Sequence, residues 1–336
     1  MTGMDWGSIA GHEEPVARLR MMLREGRLPH AVLLAGPEGV GKHLVAQVLA
    51  AALLCGQGDS PCGKCPSCLA FQAGAHPDFY ELRPEARGKS ARMIRIEQVR
   101  EMHEEASRKP VLSQRRVVIV DDAHLMNEMA ENSLLKTLEE PAGQNVFLLV
   151  TSARSSLLDT IVSRCMPMSF GMLPMGKLAG LLTRKGVPAG EAEELALLSD
   201  GSPGRAEMLR GSGSLREDAG QFLQGLRGMQ MDAVWQRGES MGKMSREQLS
   251  EWFLYLNMML RDLLVLHGDG GSSLLYCRGI RPRLLEMLPQ FSVAGLFALL
   301  RLVREAQQRL QANVGLRLFM EGFFIRCIDC VYTRVR

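Results

Sequence analysis

Short, largely apolar runs alternate with longer amphipathic stretches through the first half of the chain. Ala31-Val32-Leu33-Leu34-Ala35 is too short for a buried helix and has the length of a buried strand. Val117-Val118-Ile119-Val120-Asp121 and Val146-Phe147-Leu148-Leu149-Val150-Thr151 repeat that pattern, and residues 78–82 and 166–170 complete five predicted strands. Between and before them the spacing predicts helices over 14–25, 44–54, 96–108 and 127–138, the last closed by Glu139-Glu140-Pro141. Apolar strands alternating with helices predict a parallel sheet covered on both faces. Ligands of such sheets bind beyond the carboxyl ends of the strands.

Past Pro174 the pattern predicts helices only. Three short ones (175–185, 191–199, 204–209) form a small unit, and Gly211-Ser212-Gly213-Ser214 reads as a hinge. Helices over 215–226, 246–266, 281–288, 293–311 and 316–332 fill the remainder. The expected division is an α/β domain over 1–170, a helical lid over 171–211 and an all-helical domain over 212–336. No internal repeat is evident.

Composition narrows this only slightly. A chain of 336 residues with 46% hydrophobic content can build two or three cores. A net charge of +3 does not by itself indicate nucleic-acid binding. From Cys277 onward ten arginines face four acids, which suits either an acidic partner or arginines lying along a helical rim. The N-terminal residues lack the look of a signal peptide, and no apolar run approaches 18 residues, so a soluble, cytoplasmic protein is expected.

The chemistry begins at Gly36-Pro37-Glu38-Gly39-Val40-Gly41-Lys42-His43, between the first strand and a strong helix former. Strand, glycine-rich turn and helix give a phosphate-binding loop its physical meaning. The glycines let backbone N–H groups face an anion at a helix N-terminus, and Lys42 adds a positive charge. His43 stands where the pattern has a magnesium-ligating hydroxyl.

Four cysteines, Cys55, Cys62, Cys65 and Cys68, crowd into fourteen residues with Pro61, Gly63 and Pro66 between them. That spacing predicts a loop wrapping one tetrahedral zinc, with no open position for catalysis.

In this order the chain resembles the AAA+ subunits of the bacterial DNA polymerase III clamp loader. The resemblance covers about residues 8–210. It rests on the phosphate loop, the cysteine cluster followed by Ala75-His76-Pro77-Asp78, and Asp121-Asp122-Ala123-His124. It continues with Asn132-Ser133-Leu134-Leu135-Lys136-Thr137-Leu138-Glu139-Glu140-Pro141, Ser163-Arg164-Cys165 and Gly201-Ser202-Pro203-Gly204. It implies an AAA+ nucleoside-triphosphatase fold with a zinc-binding insertion, a helical lid and an all-α collar domain. Gly36, Gly39, Gly41, Lys42, His43, Asp121, Asp122 and Thr151 would then form a nucleotide pocket.

Three departures from the ATP-hydrolysing gamma/tau pattern point to the delta prime branch. His43 replaces the hydroxyl, and an imidazole prefers softer metals than magnesium. Asp122 replaces the glutamate that polarises water; a carboxylate displaced by about 1 Å costs on the order of 10²-fold in rate. Gly204 stands where the motor carries an arginine for the γ-phosphate, with Arg205 next to it. ATP with magnesium therefore remains an open cofactor, and hydrolysis by this chain is expected to be absent or weak. Arg164 is implied to act in trans, reaching the ATP of a neighbouring subunit. The implied partners are gamma/tau and delta in a hetero-pentamer that loads the sliding clamp on primed DNA. Three other readings compete: a motor subunit, a zinc-dependent DNA-binding protein, and a lone P-loop protein outside replication, which the Ser163-Arg164-Cys165 and 132–141 stretches disfavour.

Several residues keep a plainer reading beside the functional one. Arg164 can pair with a local acid, Asp121 can cap the following helix, and Thr151 and Ser152 can satisfy loop backbone. Lys136 reads as an ordinary solvated helix position, and His76 and His124 as structural. Cys327 and Cys330 share one face of an apolar helix, where burial outweighs metal binding. Trp235, Trp252 and Tyr255 read as core or interface aromatics.

Overall fold

The computed structural model describes residues 4–86, 92–140, 143–211, 213–268, 275–310 and 315–332. The chain folds as two compact units, Met1–Lys185 with Gly201–Gly204, and Gly186–Asp200 with Arg205–Arg336. Pro141 and Gln311, expected to close helices, and Ser212 of the expected hinge lie outside the described residues.

The first unit opens with α1 (Glu13–Arg24), then β1 (Ala31–Ala35), α2 (Lys42–Cys55) and α3 (Pro66–Gln72). It continues through β2 (Phe79–Leu82), α4 (Ile96–Ser107), β3 (Arg116–Val120), α5 (Glu128–Glu139) and β4 (Asn145–Thr151). It ends with α6 (Asp159–Arg164), β5 (Met166–Ser169) and α7 (Met175–Arg184). All five predicted strands form, all pairings are parallel, and the order is β2-β3-β4-β1-β5.

Alternation within the apolar strands explains how one sheet carries two cores. Val32, Leu34, Ile119, Leu148 and Val150 face one side, with Leu19 of α1, Val45 and Val48 of α2 and Phe71 of α3. Leu33, Val118, Val120, Phe147 and Leu149 face the other, with Val99 of α4, Leu134 of α5 and Ile161 of α6. Every side chain of β1, β3 and β4 is buried, as an interior parallel strand requires. This is the α/β architecture that the resemblance implies. Among the described residues no single helix is long and apolar enough to cross a membrane.

The second unit is helical. It holds α8 (Ala189–Leu198) and most of α9 (Pro203–Arg210), whose first two residues belong to the first unit. There follow α10 (Gly213–Gly225), α11 (Met231–Met241), α12 (Arg246–Gly268), α13 (Arg281–Met287), α14 (Val293–Leu310) and α15 (Leu316–Tyr332). Aromatic rings form its centre: Phe222 and Trp252 lie 5.3 Å apart, Phe253 and Phe323 5.0 Å. Such pairs add about 0.5–1.5 kcal/mol beyond their area. Trp252 Nε1 donates to Asp218 at 2.7 Å, and Tyr255 donates its hydroxyl to Leu209 O at 3.2 Å. Trp235 is exposed, whereas Cys327 is fully buried on α15.

Three helices are absent from the sequence expectation: α3, α6 and α11. The first corrects the reading of the cysteine cluster as loop throughout. Pro66 opens α3, Cys65 caps it by accepting from the Cys68 N–H, and Cys68 lies inside it. Proline suits a first helical position because its missing N–H has no partner there anyway.

Candidate functional site

The phosphate loop follows β1 at the carboxyl edge of the sheet, and Asp121, Asp122 and Thr151 follow or end β3 and β4 at that same edge. Topology thus gathers the sequence-predicted pocket. Gly36 is required by close approach, since a Cβ there would stand 2.1 Å from Phe170 O. Gly39 and Gly41 take positive φ of 75° and 102°, conformations that disfavour any other residue.

Four successive loop carbonyls are each tied down. Lys42 Nζ donates to Pro37 O at 2.6 Å, and Ser202 Oγ to Glu38 O at 3.1 Å. The Gly204 N–H donates to Gly39 O at 2.8 Å, and His12 Nε2 meets Val40 O at 2.9 Å. A Cβ on Gly204 would stand 2.8 Å from Gly39 Cα, so the arginine of the motor pattern has no room at this backbone position. Burial lowers the pKa of Lys42, against the pull of Asp122, Glu38 and Asp121.

His43 occupies the place of the missing hydroxyl and lies between two carboxylates. Its Nε2 is 3.3 Å from Glu81 Oε1, and its Nδ1 is 3.3 Å from Asp121 Oδ2. The Asp121 carboxylate raises the pKa of His43 in spite of burial. Burial opposes ionisation of Asp121 too, yet His43 holds its pKa below the usual range. Asp122 sits in a left-handed backbone conformation, and burial together with neighbouring Asp121 raises its pKa. Thr151 is buried and its hydroxyl accepts from the Ala153 N–H at 3.1 Å, so here it satisfies loop backbone. Ser152 Oγ meets His124 Nε2 at 3.2 Å.

Arg164 ends α6, exposed, with one nitrogen 2.5 Å from Glu139 Oε1 and another donating to Thr160 O at 3.0 Å. The plainer pairing is therefore formed in this structure. Both partners are a third or more exposed, so the bridge is worth at most about 1 kcal/mol and releases easily.

The cysteine cluster fits a metal. One donor atom from each of Cys55, Cys62, Cys65 and Cys68 lies within 4.8 Å of the rest. Sulfurs held about 2.3 Å from a tetrahedral zinc would lie about 3.8 Å apart; Cys62–Cys68 and Cys55–Cys65 are each 3.9 Å apart. Backbone N–H groups point at three of the sulfurs at 3.4–3.5 Å. The N–H groups of Lys64 and Cys65 bring the Cys62 thiol down to about 6, while burial pushes Cys68 up to about 12.

Behind the cluster lies a serine–histidine–aspartate group that is not a catalytic triad. His76 Nδ1 accepts from the Asp78 backbone N–H at 3.0 Å, which puts the proton on Nε2, facing Ser67 Oγ at 2.7 Å. Ser67 commits its own proton to Leu54 O at 2.9 Å, so no base is available to it. The Asp78 carboxylate accepts the N–H groups of Val111, Leu112 and Ser113 at 2.7–2.8 Å, fully buried beside Arg116. These residues fasten α3 and the end of α2 to the strands. Asp78→Asn is expected to lower unfolding stability by about 2–4 kcal/mol, because an amide NH₂ would face a backbone donor. Urea unfolding at unchanged slope measures it; a loss under about 1 kcal/mol would deny this carboxylate its fastening role.

Sequence reasoning overlooked His12 and Glu81. Neither carries a motif signal, and both reach the site only through tertiary packing.

Similarity to known proteins points to the same family as the sequence motifs. Residues 11–174 match the family model described as DNA polymerase III, delta subunit. The Pseudomonas aeruginosa DNA polymerase III subunit delta' is 36% identical over 253 residues, covering 73% of this chain and 75% of that protein. A Mycobacterium tuberculosis subunit gamma/tau is 37% identical over 183 residues, covering 53% of this chain and 31% of that longer protein. Among solved structures, the Bacillus subtilis DNA clamp loader delta protein superposes with a TM-score of 0.33 at 12% identity, covering 94% of this chain and 99% of that one. The relative spanning most of this chain at over a third identity decides the matter: the chain belongs to the family of DNA polymerase III delta' subunits.

Proposed function

We propose that this AAA+ chain serves DNA replication as a delta' subunit that keeps its place in the clamp loader without hydrolysing ATP itself. The observation that carries the reading is the altered pocket. His43 stands between two carboxylates where a magnesium ligand is expected, and Gly204 packs on Gly39 where a motor arginine is expected. Gly36, Gly39, Gly41 and Lys42 would still cradle nucleotide phosphates, but Lys42 must first leave Pro37 O.

Arg164 would act on a neighbour's nucleotide once it releases Glu139. Cys55, Cys62, Cys65 and Cys68 would hold a structural zinc, which supplies a cross-link and no reaction. Gamma/tau and delta would be the partners in a hetero-pentamer, acting on a sliding clamp and primed DNA. The lid over 171–211 and the collar over 212–336 are the functional division proposed with this assembly.

Omission from a mixture of gamma/tau, delta, sliding clamp and primed DNA should abolish clamp loading, and adding the chain back should restore it. Alone with magnesium-ATP and primed DNA, it should release phosphate at no more than about a hundredth of the assembly's rate. Brisk release by the chain alone, abolished by Lys42→Ala, would establish the motor reading instead.

A further inference from the structure

We propose that His43, Glu81 and Asp121 form a binding site for a divalent transition cation, taken up without nucleotide. The three donors come from three elements: the first turn of α2, β2, and the residue following β3. Parallel pairing of Glu81 with Ile119 brings Glu81 alongside the strand that leads to Asp121. One donor atom from each lies within 4.8 Å of the others, as a shared ion requires.

Each carboxylate has one oxygen fixed and one offered. Glu81 Oε2 accepts from Arg83 at 2.8 Å, while Oε1 turns to His43. Asp121 Oδ1 accepts from the Asp122 N–H at 3.1 Å, while Oδ2 turns to His43. Groups that hold the outer oxygen in this way orient ligands at metal centres. The offered atoms are not otherwise satisfied: among the described residues, His43 Nδ1 and Glu81 Oε1 are shielded from solvent and have no hydrogen-bond partner beyond the 3.3 Å contacts within this trio. A neutral imidazole offers one N–H to the two carboxylate oxygens that face it, so one nitrogen–oxygen pair meets lone pair to lone pair unless a cation or a second proton stands there.

The donor set selects the ion. One imidazole and two carboxylates suit manganese, cobalt or zinc, whereas magnesium favours oxygen alone. Arg83, 3.5 Å from His43 Nε2, is more than half exposed and can swing into solvent as a cation enters. A place read from sequence as a failed magnesium site becomes a site for a softer ion.

Manganese is the discriminating probe, since the thiol cluster prefers softer metals. Titration of the full chain with manganese alone, followed by loss of the free-ion paramagnetic resonance signal, should show one tight ion per chain. Spin-echo modulation should report a directly bound imidazole nitrogen. His43→Ala and Glu81→Gln, each with unchanged circular dichroism and melting, should weaken binding about tenfold or more. His43→Ala should also erase the nitrogen modulation; His43→Asn serves should alanine disturb the fold. Absence of manganese binding, equal binding by the variants, or binding only with added nucleotide would overturn the site. In the first case a proton on His43 supplies the charge instead. The result is separable from the clamp-loading reading, which neither outcome alters.

Discussion

Arg164→Ala is expected, on the trans role proposed for it, to slow ATP turnover by about 10³-fold at a neighbouring subunit's nucleotide site, the scale of a lost arginine finger. The fold should not register the change. Arg164 ends a six-residue helix at the surface, and its partner Glu139 is itself half exposed. Removing such a bridge costs at most about 1 kcal/mol, so melting of the isolated chain should move by only a few degrees. Arg164→Lys should restore little, because one ammonium cannot reproduce the planar two-pronged contact with a phosphate. Glu139→Ala supplies the opposing control: it frees the guanidinium and should leave turnover equal or higher. Single-turnover phosphate release by the reconstituted assembly makes the measurement. Unchanged release with Arg164→Ala would confine the residue to its bridge.

That expectation grew from a three-residue motif, and the same economy holds for the sheet. Runs such as Val117-Val118-Ile119-Val120 are strands by length and β-branching alone, and their alternation fixes which core each side chain joins. Short or polar helices were illegible for equally physical reasons. Six residues in α6 and seven in α3 span fewer than two turns, too few for a period to show. In α11 the sequence carries Gly238, which reads as a breaker. The fold needs that glycine because a Cβ would stand 2.3 Å from Glu321 Cγ on α15. At the site, Gly36 and Lys42 were legible because loop chemistry is local. Glu81 was not, since its neighbours His43 and Asp121 lie 38 and 40 residues away in the chain. The consequence of Gly204 was also hidden: its sequence position suggested a missing arginine, and only packing on Gly39 shows why none can stand there.

Removing the zinc proposed for the cysteine cluster is the second large effect expected. Cys55 closes the helix whose other end is Lys42, and Cys68 lies within α3, so one ion would clip two helices across a glycine- and proline-rich loop. A ligand bound to the folded chain at a thousand times its dissociation constant adds about 4 kcal/mol, and structural zinc often exceeds this. Chelation, or Cys65→Ser, should therefore lower the melting temperature by ten degrees or more, about 2–4 °C for each kcal/mol in a chain this size. The loss should be local at first. Ser67, His76 and Asp78 still fasten α3 and the strand beside it through buried hydrogen bonds, and the five-strand sheet has its own two cores. Amide exchange should accelerate over residues 55–72 well before β1, β3 and β4 open. Mass spectrometry under native conditions should find one zinc per untreated chain and almost none in Cys65→Ser. A chain purified without metal, with protection over 55–72 equal to that of the sheet, would reduce the four thiols to ordinary free cysteines, their 3.9 Å spacings then owed to the local fold alone.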